Sequence, residues 1–235
     1  MNHEEVLEEI FKEQKELYSE LTELNDRFVN LDVSDRTPIL IEFLGSARSG
    51  KTTAIGNISE LFRKSGKTVQ VIGEESVDIT EDVNKDPKMK QEINSADYIK
   101  RVSDEVINIY NSAKNSEADV VIFDRSINDR FNWFTIFSEC ENEPYTKRLG
   151  DQKVDLLVVQ TCDVAKSLER KFKNSLSLFP TKWTNYQICT EYLEAISKNE
   201  ANFQNHANAT IKLDTSDMDA MRASLTIAKE ILDLL

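Results

Sequence analysis

The chain has 235 residues and sets 29 Lys and Arg against 42 Asp and Glu, for a formal net charge of −13. With 40% apolar and 30% charged residues, the composition is globular, which excludes a collagen-like or disordered chain. The acidic balance excludes long nucleic acid as a partner unless a basic patch is gathered locally. No apolar run approaches the roughly 20 residues of a membrane span, and the opening MNHEEVLEEI is acidic where a leader would be basic. A soluble, cytoplasmic protein without a membrane partner is predicted. Cys140, Cys162 and Cys189 are scattered, with no CxxC pair, so they read as small buried hydrophobes rather than as disulfides or zinc ligands.

Residues 3 to 31 read as one long helix. Leu7, Gln14, Leu21 and Phe28 share one heptad position, and Ile10, Leu17, Leu24 and Leu31 share the other, the spacing of a coiled-coil seam. The seam either pairs with a second copy to make a homodimer or lies on the chain's own domain. A turn-rich LDVSDRTP (31 to 38) separates it from the rest, giving residues 1–36 as helix and linker and 37–235 as the main domain.

Beyond it, short β-rich runs alternate with longer helical segments. The runs are Ile39 to Leu44, Thr68 to Gly73, Asp119 to Asp124, Asp155 to Gln160 and Thr210 to Asp214. Each reads as a strand buried on both faces, so the expected class is α/β, a five-stranded parallel sheet flanked by helices.

The first strand runs into GSARSGKT, which satisfies GxxxxGK[ST] between a strand and a helix, the context this phosphate loop requires. Gly45, Ser46, Ala47, Arg48, Ser49 and Gly50 would curl their backbone around a phosphate. The helix that begins with Lys51, Thr52 and Thr53 adds the partial positive charge of its N-terminus. Lys51 would reach the β and γ phosphates of ATP, and the Thr52 hydroxyl would ligate Mg²⁺. The third strand, VVIFD, ends on Asp124, a second Mg²⁺-facing oxygen donor. Immediately after it, DRSINDRFNWF places Arg125, Asp129 and Arg130 at the carboxyl end of a parallel strand, where ligands of α/β proteins collect. Two arginines there suit phosphate or a transferring charge, and Asp129 suits hydrogen bonds from a base or sugar.

DRS followed by DRF resembles the ERS and DR stretch of deoxynucleoside kinases and, more loosely, the DR segment of thymidylate kinases. Asp124 stands where deoxynucleoside kinases have Glu. VIGEES, at the end of the second strand, is similar to the strand that ends in that family's catalytic Glu, with Glu74 the best match and Glu75 its neighbour. EYLEAISKNEANF resembles the family's YLE helix, whose downstream Glu contacts the sugar; Glu200 is the nearest match. The resemblance implies a P-loop kinase fold and an acceptor side formed by Glu74, Tyr98, Arg101, Asp129, Arg130 and Glu200. Glu74 would accept the acceptor hydroxyl's proton, while Arg125 and Arg170 would stabilise the equatorial charge. Arg170 belongs to a lid segment, Leu168 to Trp183, that also holds Lys171, Lys173 and Lys182.

The predicted activity is ATP- and Mg²⁺-dependent phosphoryl transfer to a small molecule, a nucleoside or nucleoside monophosphate. Two alternatives stand beside it: a P-loop ATPase or nucleotide-dependent switch whose N-terminal helix binds a partner, and a kinase for another small hydroxyl compound.

Overall fold

A computed structural model describes residues 3–31, 37–73, 96–137, 143–174 and 186–235. Five strands form one wholly parallel sheet: β1 (Ile39–Gly45), β2 (Val69–Ile72), β3 (Val120–Asp124), β4 (Val154–Thr161) and β5 (Ala207–Asp214), in the order β2-β3-β1-β4-β5. The described helices are α1 (His3–Asn30), α2 (Lys51–Lys64), α3 (Ala96–Lys114), α4 (Ile127–Phe137), α5 (Glu143–Leu149), α6 (Val164–Asn174), α7 (Tyr186–Lys198), α8 (Glu200–His206) and α9 (Ala220–Leu234).

The strands alternate their side chains between two cores, as a sheet covered on both faces must. One core gathers Leu40, Leu44, Val121, Phe123 and Leu157 beneath α3, α4, α5, α7 and α8. The other gathers Ile41, Phe43, Ile122, Leu156 and Val158 beneath α2 and α9. The expectation that all five strands are buried on both faces holds for β1, β3 and β4 but not for the edges. Val71 of β2 is 41% exposed, and β5 alternates buried and exposed positions. An edge strand has one flank open to water, so its side chains need not all be apolar. β5 also begins at Ala207, three residues before the apolar run TIKLD that signalled it.

α1 docks on its own domain. Leu24 and Phe28 are buried in the second core, Leu17, Leu21 and Leu31 pack against it, and Phe28 meets Phe62 of α2 edge to face with centroids 4.8 Å apart. Arg27 pairs with Asp233 at 2.6 Å and Glu20 with Lys229 at 2.5 Å, both partners lying on α9. Of the two arrangements open to the seam, the structure shows the helix on its own domain and does not support the homodimer. From Leu17 onward, the heptad stripe covers α2 and α9 of the same chain, leaving those positions no face for a second copy. The same 3.5-residue spacing serves a helix lying across two others, which is why periodicity could not choose between the two arrangements.

Register fixes the functional end of the sheet. Phe43 lies beside Asp124, and Gly45 beside Gln160. The loops leaving β1, β3 and β4 therefore open together at the carboxyl edge, where the strand order reverses.

Candidate active site

At that edge lies a cavity of about 520 Å³, with Ala47 to Thr53 on one side. Arg125 after β3, Arg170 of α6, Thr215, Met218, Asp219 and Ala220 after β5, and Ala223 complete its wall. Gly45 is obligatory here. Its φ is +152°, and a Cβ on it would sit 1.7 Å from the Gln160 carbonyl oxygen, the atom that accepts the Ser46 N–H at 3.1 Å. Gly50, at φ +96°, turns the chain into α2 in a left-handed conformation that costs other residues more.

The loop's carbonyls are held from behind by neighbouring elements. Ser167 Oγ donates to the Ala47 carbonyl at 2.6 Å, Arg170 Nη1 to that of Arg48 at 3.3 Å, and Thr215 Oγ1 to that of Ser49 at 2.8 Å. Gln160 Nε2 reaches the Ser49 carbonyl at 3.4 Å. With its carbonyls tied back, the loop presents the first turn of α2 to the cavity, where helix N–H groups have no intrahelical partner. Lys51, Thr52 and Thr53 all line it.

Among the described residues, the cavity wall carries four cations, Arg48, Lys51, Arg125 and Arg170, against one carboxylate, Asp219. That carboxylate is engaged at 2.8 Å with the Arg222 N–H at the start of α9. An acidic protein thus concentrates positive charge at one concave spot, the condition for binding a small polyanion.

Arg125 is buried and holds a left-handed backbone, φ +68°. Its N–H donates to the Phe43 carbonyl at 2.9 Å, its Nε lies 4.0 Å from Asp129, and its guanidinium sits over the Tyr192 ring at 5.8 Å. Asp129 is fully buried and accepts from Trp133 Nε1 at 3.0 Å and from the Tyr192 hydroxyl. Burial, reinforced by this carboxylate, pushes the Tyr192 phenol well above its ordinary value, so Tyr192 stays a donor. Asp129 is thereby engaged with α4 and α7 rather than lining the cavity. Arg130 is buried on the same helix, 5% exposed.

Arg170, expected to face the transferring charge, lines the cavity and is also engaged behind it. Nη2 donates to the carbonyls of Thr215 at 2.6 Å and Met218 at 2.9 Å, while Nη1 approaches Cys162 Sγ at 3.3 Å. Its fork clamps the turn after β5 to the phosphate loop. Burial pushes the Cys162 thiol up, leaving it the inert neighbour expected of a buried cysteine.

Among the described residues, none of the expected acceptor-side set lines this cavity. Glu200 pairs with Lys212 of β5 at 2.8 Å and does not line the cavity. Arg101 is exposed on α3, which also carries Tyr98 in its first turn. Glu74, Glu75, Lys182 and Cys140 lie outside the described residues.

The oxygen donors suit Mg²⁺, which takes few protein ligands and keeps the rest for phosphate and water. Thr52 is exposed in the first turn of α2, and Asp124 is partly exposed at the end of β3, one strand away.

Sequence reasoning missed Glu42, Thr215, Ser167 and Tyr192. Glu42 had a signal, a lone carboxylate within the apolar run ILIEFL. Thr215 and Ser167 had none, because their importance comes from where β5 and α6 end in space.

No protein-family model matches the sequence, and no curated protein does. Among solved structures, the chain is similar to the YorR protein of Bacillus subtilis in complex with phosphorylated GDP. The TM-score is 0.51 at 16% identity, covering 83% of this chain and 94% of that one. It is also similar to a deoxyadenosine kinase from M. mycoides with products dCMP and a flexible dCDP bound, with a TM-score of 0.49 at 17% identity, covering 83% and 100%. Strand order and phosphate loop define a P-loop α/β protein, with a fold similar to that of the YorR protein.

Proposed function

We propose that this protein is an ATP- and Mg²⁺-dependent kinase that phosphorylates a nucleoside or nucleoside monophosphate. The observation that carries this reading is the cationic cavity built on the Gly45 to Thr52 loop in a chain of net charge −13. Phosphoryl transfer needs positioning and charge neutralisation more than covalent chemistry. The loop amides and Lys51 hold the donor phosphates. Thr52 and Asp124 would hold Mg²⁺, which supplies neutralisation of the β and γ charge. Arg125, buried and fixed by Phe43 and Asp129, faces the transferring group, whereas Arg170 braces the donor side through the turn at Thr215. Glu74, the next residue but one after β2, accepts the proton of the acceptor hydroxyl.

The switch reading has the N-terminal helix, which carries the apolar seam, bind a partner protein. Docking of Leu17 to Leu31 on the chain's own core removes much of that seam and favours the kinase. The test is an ADP-release screen with ATP and Mg²⁺ over nucleosides, deoxynucleosides and their monophosphates. Guanine compounds are included because the YorR protein holds a guanine nucleotide on this fold. Acceptor-dependent turnover that is lost in Lys51→Ala supports the reading. ADP formation indifferent to every acceptor returns the switch reading, and turnover only with other hydroxyl compounds returns the third.

A further inference from the structure

We propose that Glu42, in the middle of β1, is the positioning residue that sets the Arg125–Arg130 segment against the phosphate loop. The proposal rests on the kinase reading above for its consequence in turnover, and on geometry alone for the contact itself.

Glu42 is fully buried in the most central strand of the sheet, where a carboxylate is costly unless its acceptor capacity is used. Among the described residues, its hydrogen-bond partners belong to one place, the start of α4. Oε1 accepts the N–H of Ser126 at 2.8 Å, of Asn128 at 3.1 Å and of Asp129 at 3.2 Å; Oε2 accepts Asn128 Nδ2 at 2.9 Å. These include backbone donors that an α-helix leaves unsatisfied in its first turn, and the negative charge complements the helix dipole. The usual acceptor is a capping side chain just ahead of the helix. Here it comes from a strand 84 residues earlier.

The next residue of β1 completes the clamp. The Phe43 carbonyl takes the Arg125 N–H at 2.9 Å, so Glu42 and Phe43 hold the backbone on both sides of the left-handed turn at Arg125. Two residues further on, the same strand becomes the phosphate loop at Gly45. β1 therefore acts as a ruler, one rigid element from which both the loop and the arginines are measured.

The charged and titratable groups facing Glu42 are Asp129 on α4 and Tyr145 on α5, with Arg130 of α4 also beside Tyr145 and the His206 carbonyl at the end of α8 taking Asn128 Nδ2. Burial raises the Glu42 carboxyl to about 7; the Asn128 side chain and the Asn128 and Ser126 amides oppose the rise, and Asp129 adds to it. Burial also pushes the Tyr145 phenol well up and the His206 ring down, which leaves both neutral near pH 7. Protonation of Glu42 removes acceptor strength from the start of α4, so the segment loosens as pH falls through neutrality.

The experiment uses the full chain carrying Trp183→Phe, which leaves Trp133 of α4 as the one remaining tryptophan of two. Its emission is titrated with pH, and kcat and KM are measured across the same range. The proposal expects a Trp133 transition near pH 7 that is absent in Glu42→Gln. It also expects kcat in that variant to fall about tenfold or more with KM for ATP within about twofold, the signature of lost transition-state positioning. Asn128→Ala, which removes one bond favouring the charged form, should move the Trp133 transition and the acid limb of kcat together to higher pH. It decides the matter if Glu42→Gln does not fold. A Trp133 titration unchanged in both variants overturns the proposal. Absence of acceptor phosphorylation in the unaltered protein overturns the kinase reading instead, and the Trp133 titration then still tests the contact.

Discussion

Arg170 Nη2 donates to the Thr215 carbonyl at 2.6 Å, while the Thr215 hydroxyl donates to the Ser49 carbonyl at 2.8 Å. α6, the turn after β5 and the phosphate loop are therefore tied in series through two side chains. The arginine acts on the loop by holding what holds it. Arg170→Ala should raise KM for ATP by about tenfold and reduce kcat less, the pattern of lost ground-state and transition-state binding alike. Steady-state kinetics with ATP varied checks this. A fall in kcat of about 100-fold with KM unchanged would instead return Arg170 to the transferring phosphoryl group.

Gly45→Ala should abolish nucleotide binding. The added methyl carbon would overlap the Gln160 carbonyl oxygen; the methyl is fixed rigidly to the β1 backbone and the oxygen belongs to the β4 backbone, so neither can move aside cheaply. Strand separation between β1 and β4 would cost several ladder hydrogen bonds. Isothermal titration with an ATP analogue, beside circular dichroism, is the check. Wild-type affinity in a folded variant would contradict the packing described here.

Phe28→Ala should destabilise the fold by about 3–5 kcal/mol, the range for removing a buried phenyl ring. Phe28 is fully buried against Phe62, so its loss opens a void beneath α1. Denaturant unfolding measures the loss. Light scattering should give the same mass for wild type and variant; a drop from dimer to monomer would restore the pairing that the heptad pattern first suggested.

Most of the sheet was legible in the amino-acid order because strands buried on both faces write themselves as apolar runs, as ILIEFL and DLLVVQ do. β2 and β5 were readable as strands but not as edges, since runs of six and five residues, TVQVIG and TIKLD, carry little periodicity. The phosphate loop was legible in full, because its glycines answer to local backbone demands. What holds it was not: Thr215 and Ser167 are ordinary residues made significant by distant elements ending beside Ser49 and Ala47. Asp129 illustrates the converse. Its place beside Arg125 was readable, but its enclosure by Trp133 and Tyr192 depends on how α4 packs on α7.

The stability of the protein should carry a pH signature of Glu42. Its carboxyl is raised from 4.5 to about 7 in the folded chain, so folding favours the protonated form. The contribution is fully present below pH 4.5 and is lost as pH rises towards 7, by about 3 kcal/mol over that window. In Glu42→Gln the side chain cannot ionise, and this part of the decline should vanish. Urea unfolding of both proteins at pH 4.5, 5.5, 6.5 and 7.5 reads the difference directly. Parallel curves for the two proteins would show that the carboxyl does not titrate in this range.

Glu74 separates a kinase from an ATPase. β2 ends at Ile72, whose register partner Phe123 immediately precedes Asp124, and Glu74 follows two residues later in the chain. In the proposed reading, Glu74 acts on the acceptor hydroxyl, while Lys51, Thr52 and Asp124 serve the donor. Glu74→Gln keeps size and hydrogen-bonding capacity but removes the proton-accepting charge. Acceptor phosphorylation should fall by about 10²-fold to 10⁴-fold with ATP affinity nearly unaltered. Single-turnover transfer and ATP titration on the same preparation check the two halves. Loss of transfer in Glu75→Gln with Glu74→Gln intact would move the base by one residue. If neither substitution slowed transfer, the resemblance to deoxynucleoside kinases would not extend to the acceptor side.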